Sequence, residues 1–115
     1  MKEKILQGSW VIDAPVEDVY QIISDFEKAP TYFPLVAKGM KVIRRNGNNL
    51  DIEATTNTFG INFKVKMKTT LLPNEGFTSI NESGLAIEDE RFILKPVQQG
   101  TRIEYVNKVT IKNNI

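Results

Sequence analysis

The chain contains no cysteine and no histidine. Without thiols there are no disulfides, no thiolate nucleophile and no zinc–thiolate site. Without imidazole, Ser-His-Asp and Cys-His catalysis and His-ligated metals are excluded. Proton transfer, if any, must use Asp, Glu, Lys or Tyr. An excess of one charge is missing too: 15 Lys and Arg stand against 14 Asp and Glu, a net charge of +1. That balance removes the electrostatic footprint of a nucleic-acid binder. No apolar run approaches the about 18 residues needed to cross a bilayer, and no apolar segment of signal-peptide type follows the charged N-terminus. The expectation is a cytoplasmic protein with no membrane span, no nucleic-acid partner, no metal and no cofactor.

What is present is an ordinary globular composition, 41% hydrophobic and 25% charged over 115 residues. That length suits one core. With no repeat, low-complexity tract or Pro/Gly/Ser linker, a single domain over 1–115 is expected. Residues 3–12 read as a strand. Asp13 or Ala14 then caps a helix over 16–25, with Pro15 near its first turn. Val16, Val19, Tyr20 and Ile23 lie at i, i+3, i+4 and i+7 and form its apolar face. A second short helix is expected over 27–33, stopped by Pro34.

From residue 39 the pattern turns to period two. Strands are expected at 39–46, 50–59, 61–72, 77–83, 86–95 and 101–112, separated by Gly- and Asn-containing turns. Connections this short dictate an antiparallel meander. In 61–72, Ile61, Phe63, Val65, Met67, Thr69 and Leu71 share one face, while Asn62, Lys64, Lys66, Lys68 and Thr70 share the other. A turn at Phe59-Gly60 sets Glu53 opposite Lys66 and Asp51 opposite Lys68. The last hairpin pairs Phe92 with Tyr105 and Leu94 with Ile103 inside, and Asp89 with Lys108 and Arg91 with Glu104 outside. The class is therefore α+β: two short helices segregated to one face or end of a curved antiparallel sheet.

Several residues resemble a known superfamily. Asp13-Ala14-Pro15-Val16-Glu17-Asp18-Val19-Tyr20, Ser24-Asp25-Phe26-Glu27-Lys28 and Pro30-Thr31-Tyr32-Phe33-Pro34 resemble the START-like (Bet v 1-like) helix-grip superfamily. The polyketide cyclase/dehydrase, coenzyme Q-binding and ribosome-association-toxin branch is the most similar. The resemblance implies a β-α-α-β6 helix-grip fold. It also implies a long C-terminal helix across the concave sheet, for which the residues after 112 are too few; either the chain is truncated at its C-terminus or something else covers the sheet. Ala29 departs from the branch, which has an aromatic there. An inner face carrying Ile61, Phe63, Val65, Met67, Phe92, Leu94, Ile103 and Tyr105 would be a large bare apolar patch. The expectation is that a homodimer mate, another partner chain, a swapped element or a lipid-like ligand covers it.

The same registers place Thr69, Ser79, Glu90 and Asn107 in a polar row across that face. Glu90 there would orient a ligand's polar end or serve as general acid or base. The alternative is that the row lies at an open, wet end of the sheet. Tyr20 and Phe26 read as core, as does Trp10. Tyr32 and Phe33 fit a cavity mouth as well as they fit core packing. The Lys64-Lys66-Lys68 stripe reads as a solvated face, because Asp51 and Glu53 oppose it. Glu88-Asp89-Glu90 cannot converge on one ion, since neighbouring strand residues face opposite sides. The candidate ligand-binding residues are Tyr32, Phe33, Phe63, Met67, Ser79, Glu90, Phe92, Tyr105 and Asn107; no catalytic residue is assigned. Three functions compete: binding of a hydrophobic small molecule, lipid-, quinone- or polyketide-like; a cyclase or aromatase in which a carboxylate or Tyr moves protons; and a protein-interaction module.

Overall fold

In the computed structural model, which describes residues 2–32, 34, 37–58 and 60–112, the first strand pairs with the last. β1 (Lys2–Ile12) runs antiparallel to β7 (Gly100–Ile111) along its whole length, from Lys2↔Ile111 to Ile12↔Thr101. Between them come α1 (Val16–Ile23), a 3-10 turn (Phe26–Lys28), α2 (Ala29–Tyr32), β2 (Ala37–Asn46), β3 (Asn49–Thr58), β4 (Ile61–Leu72), β5 (Gly76–Glu82) and β6 (Ala86–Val97). The seven strands form one sheet in the order β1-β7-β6-β5-β4-β3-β2. This is the expected β-α-α-β6 helix-grip arrangement, a curved antiparallel sheet with two short helices.

The helices differ from expectation in detail. Pro15 itself is the N-cap, extended at φ −66 and ψ 156, and its carbonyl accepts from Asp18 and Val19. A cap needs no N–H of its own, so proline costs nothing there. Glu17 and Asp18 occupy the first turn, beside the positive end of the helix dipole. α1 ends at Ile23, two residues early: Ser24 is its C-cap, still αR, and Asp25 leaves helical geometry at φ −89 and ψ 75. The second helix is split into the 3-10 turn and α2. Phe33 lies outside the described residues.

Charge and pattern set the strand registers as expected. Glu53 faces Lys66 and Asp51 faces Lys68. Phe92 faces Tyr105, Leu94 faces Ile103 and Asp89 faces Lys108. One expected pair is wrong: Arg91 faces Val106, and Glu104 faces Ile93. The register that joins Phe92 to Tyr105 puts Arg91 and Glu104 two positions out of step, and Glu104 pairs instead with Lys95 at 2.9 Å. Gly76, at φ +121, opens β5 where a Cβ would collide with the Phe92 carbonyl oxygen, so only glycine fits.

The helices pack on the inner face of the sheet and build two apolar clusters. Phe26 and Ile23 cover Leu50, Ile52, Met67 and Phe77. Val16 and Val19 of α1 cover Leu94 and Ile103. The inner face is therefore less bare than expected: Met67, Leu94 and Ile103 are buried. Ile61, by contrast, stands 58% exposed at the far end of β4. Trp10, expected in the core, is 45% exposed. It sits on β1, an edge strand with no neighbour beyond it.

Candidate functional site

Three adjacent cross-strand rows make the site. The first is aromatic: Phe77 faces Phe92, Phe92 faces Tyr105, and Tyr105 faces Gly8. Phe77 and Phe92 stack at 5.4 Å between centroids. Tyr105 meets Phe92 edge-on at 5.9 Å, and Trp10 does so at 6.3 Å. Gly8 gives Trp10 its place, since a Cβ on residue 8 would lie 3.2 Å from the indole ring.

The second row is polar: Thr69↔Ser79, Ser79↔Glu90 and Glu90↔Asn107. It runs about 7 Å from the aromatic row, two residues further along each strand. The third row brings Asn81 opposite Glu88. Strand alternation explains all three: on β5, Phe77, Ser79 and Asn81 point inward, and on β6, Glu88, Glu90 and Phe92 do the same.

Hydrogen bonds join the polar groups into a directed chain. Ser79 Oγ donates to Asn81 Oδ1 at 2.6 Å, so Thr69 Oγ1 must donate to Ser79 across their 2.7 Å contact. Asn81 Nδ2 donates to Glu90 Oε1 at 3.1 Å, and Tyr105 Oη donates to Glu90 Oε2 at 3.0 Å. Asn107 Nδ2 donates to Glu88 Oε1 at 2.6 Å. Asn107 is only 3% exposed, and its Oδ1 is buried with no hydrogen-bond partner. Burial pushes the Glu90 carboxyl above the usual carboxylate range, against the pull of the Asn81 and Tyr105 hydrogen bonds, and the nearby Glu88 charge adds to the rise. Burial likewise raises the Tyr105 phenol, and the Glu90 charge raises it further.

An apolar hollow of about 230 Å³ meets the aromatic row at Phe92, beneath α1. Trp10 and Ile12 of β1, Val19 and Ile22 of α1, Phe92 and Ile103 wall it. Thr101 Oγ1 donates to the Ala14 carbonyl at 2.7 Å and ties the start of β7 to the segment that leads into α1. A larger hollow, about 510 Å³, lies over β2–β4 and is bordered by Lys41, Glu53, Lys64 and Lys66. Those side chains belong to the charged face, which suits water better than an apolar ligand.

Of the residues expected from sequence, the structure brings Ser79, Glu90, Phe92, Tyr105 and Asn107 together. Met67 faces Asn81 of the third row while packing with Phe26 in the core. Phe63 of β4, opposite Thr56 of β3, and Tyr32, exposed on α2, stand apart from these rows. Phe33 lies outside the described residues. Sequence reasoning missed Asn81, Glu88 and the walls Trp10, Ile12 and Ile22. Asn81 was legible, because the alternation that places Ser79 inward places residue 81 there too. The walls were not, since they need the position of α1. Among the described residues no acidic group converges as metal ligands, and no helix is long and apolar enough to cross a membrane.

This fold recurs in solved structures. The chain is similar to a START superfamily protein from Mycobacterium smegmatis, with a TM-score of 0.85 and 17% identity over 96% of this chain and 79% of that one. It is similar to the aromatase/cyclase Zhui from Streptomyces sp. R1128, with a TM-score of 0.79 and 10% identity over 96% of this chain and 68% of that one. It also matches the di-domain aromatase/cyclase BexL of the BE-7585A biosynthetic pathway, with a TM-score of 0.83 and 14% identity over 96% of this chain. The chain spans only 37% of that di-domain protein. No curated protein matches the sequence. Residues 12–115 do match a family model, and the chain belongs to the polyketide cyclase / dehydrase and lipid transport family.

Proposed function

We propose that the protein binds a hydrophobic small molecule on the inner face of its sheet. The apolar part lies in the hollow beneath α1, and the polar end lies over Glu90 and Tyr105. The observation that carries this reading is an apolar hollow walled by Trp10, Ile22, Phe92 and Ile103, with the aromatic row of Phe92 and Tyr105 leading from it to a hydrogen-bonded polar row. Binding sites combine apolar walls with a few placed polar groups in this way. Burial of apolar surface supplies the affinity, at about 25 cal/mol per Å² before ordering costs. A lipid, a quinone or a polyketide would each meet that demand, and the family description supports the class.

Trp10 is the single tryptophan of the chain and borders the hollow. Titration with a fluorescent fatty-acid analogue or a short-chain quinone should shift its emission saturably. Native mass spectrometry of the protein from its own cells should show a retained organic molecule. The absence of both a saturable shift and a retained molecule would end the proposal.

A cyclase reading has one observation in its favour. Glu90, a carboxyl with a raised pKa, is hydrogen-bonded to the Tyr105 phenol beside an apolar hollow. Such a pair is suited to moving a proton on a bound polyketide. Turnover of a linear polyketide surrogate that vanishes in Glu90→Gln would support it.

A further inference from the structure

The hydroxyl donors of the inner-face polar row are engaged within it, and carboxylate acceptors are left over. Thr69, Ser79, Asn81, Tyr105 and Asn107 all direct protons to other members of the two polar rows. What remains for a ligand is Glu88 Oε2 and the second lone pairs of the Glu90 oxygens, against one further N–H on each of the Asn81 and Asn107 amides. Asn107 Oδ1, buried beside them without a donor, shows the same surplus from an independent group. A buried acceptor without a partner is uncommon and calls for an explanation.

The row also lacks a counter-charge. Among the described residues four ion pairs form, and none includes Glu88 or Glu90. The charge that acts on Glu90 is another carboxylate, Glu88. The cations of β4 lie on the opposite face, where Lys66 and Lys68 meet Glu53 and Asp51. On the inner face β1 carries Lys2 and Lys4, opposite Ile111 and Val109, and neither joins one of those four pairs. Two neighbouring carboxylates on a half-buried floor, with aromatic rings in the next row, form an environment complementary to a cation.

Resting on the binding reading above, we infer that the ligand's polar end is a protonated amine, seated against Glu90 and Glu88, with its apolar part directed into the hollow beneath α1. An alkylammonium has three donors and no acceptor, which matches a floor of unused acceptors. A hydroxyl offers one donor and no charge. A carboxylate would meet two like charges, Glu88 and Glu90. Tyr105, whose hydroxyl touches Glu90, presents ring surface beside that carboxylate, where an ammonium gains further.

The test uses three probes that share one tail: octylamine, octanol and octanoate, titrated into the full chain at pH 7 and followed by calorimetry and Trp10 emission. Octylamine should bind about tenfold more tightly than octanol, with octanoate weakest, and its advantage should shrink in high salt. The double substitution Glu88→Gln with Glu90→Gln should lower octylamine affinity toward that of octanol. The wild-type ranking decides the matter even if that variant does not fold. Octanol or octanoate binding as tightly as octylamine would overturn the amine assignment and leave the binding reading standing. Failure of all three probes to bind would overturn both.

Discussion

Tyr105 donates to Glu90 although the two residues are not strand partners: Tyr105 faces Phe92, and its hydroxyl reaches diagonally to Glu90 Oε2 at 3.0 Å. Diagonal reach of this kind is open to long aromatic side chains on one face of a sheet. It links the aromatic row to the polar row. The ring packs edge-on against Phe92 while the hydroxyl holds the carboxylate. One side chain thus belongs to both halves of the proposed site.

Replacing Tyr105 with Phe keeps the ring and removes the donor. The hydrogen bond lowers the Glu90 pKa, so its loss should raise that pKa further. Stability should fall by about 1 kcal/mol, the usual cost of a lost hydrogen bond at a site water can partly reach. Carbon-13 NMR of the Glu90 carboxyl, with urea denaturation alongside, checks both. A Glu90 pKa that stays put or falls would show that the phenol does not govern this carboxylate.

Glu90 should leave a mark on stability against pH. An unfolded Glu titrates at about 4.3, and the folded value is higher because the group is buried. Between the two values the folded state holds a proton that the unfolded state has released. Glu90's contribution is therefore fully present below the unfolded value and lost as pH rises through the folded one. Glu90→Gln does not titrate. The stability of wild type minus that of the variant should decline as pH climbs from about 4 through the folded pKa, then level. Denaturation curves at half-unit steps measure it, and a difference that rises with pH would contradict burial as the dominant cause.

Much of this site was legible in the sequence because strand pairing is nearly arithmetic. Once Asp51, Glu53, Lys66 and Lys68 fix one hairpin and the turns fix the others, Ser79, Glu90 and Asn107 must share a row. The failures have physical causes. Trp10 reads as core because it is large and apolar, but β1 lies at the edge of the sheet, a fact that only pairing with β7 reveals. Glu88 reads as one of a run of charges, yet it shares its face with Glu90. The hollow could not be read at all, since it depends on how far α1 stands off Ile103 and Phe92.

Two glycines should respond very differently to alanine. Gly47, at φ +60, has open space where a methyl would stand, with nothing within 4 Å, so Gly47→Ala carries only the left-handed backbone penalty. That is about 1 kcal/mol. At Gly76, φ is +121 and the methyl would strike the Phe92 carbonyl and the Ile93 Cα, both main-chain atoms. The β5–β6 pairing would have to open there, which displaces Phe77 and Phe92 from their stack. Gly76→Ala should lose several-fold more stability than Gly47→Ala and shift the near-ultraviolet circular dichroism of the aromatic row. Equal losses at the two positions would refute the close approach.

Ile103 separates packing from binding. It is buried beneath Val16 and Val19, and it also walls the hollow. Truncation to Ala removes buried apolar atoms and should cost about 2–5 kcal/mol, with Ile103→Val at about 1 kcal/mol. The same change enlarges an apolar space that already measures about 230 Å³. Apolar space of that kind takes up hydrophobic guests. Stability and affinity should therefore move in opposite directions: Ile103→Ala melts earlier but binds a bulkier apolar probe, such as a ring-bearing analogue, more tightly than wild type. Urea denaturation and Trp10 emission read the two quantities on one sample. If affinity falls in step with stability, Ile103 acts only as a prop for α1 and the hollow beneath that helix is not where the ligand's apolar part resides.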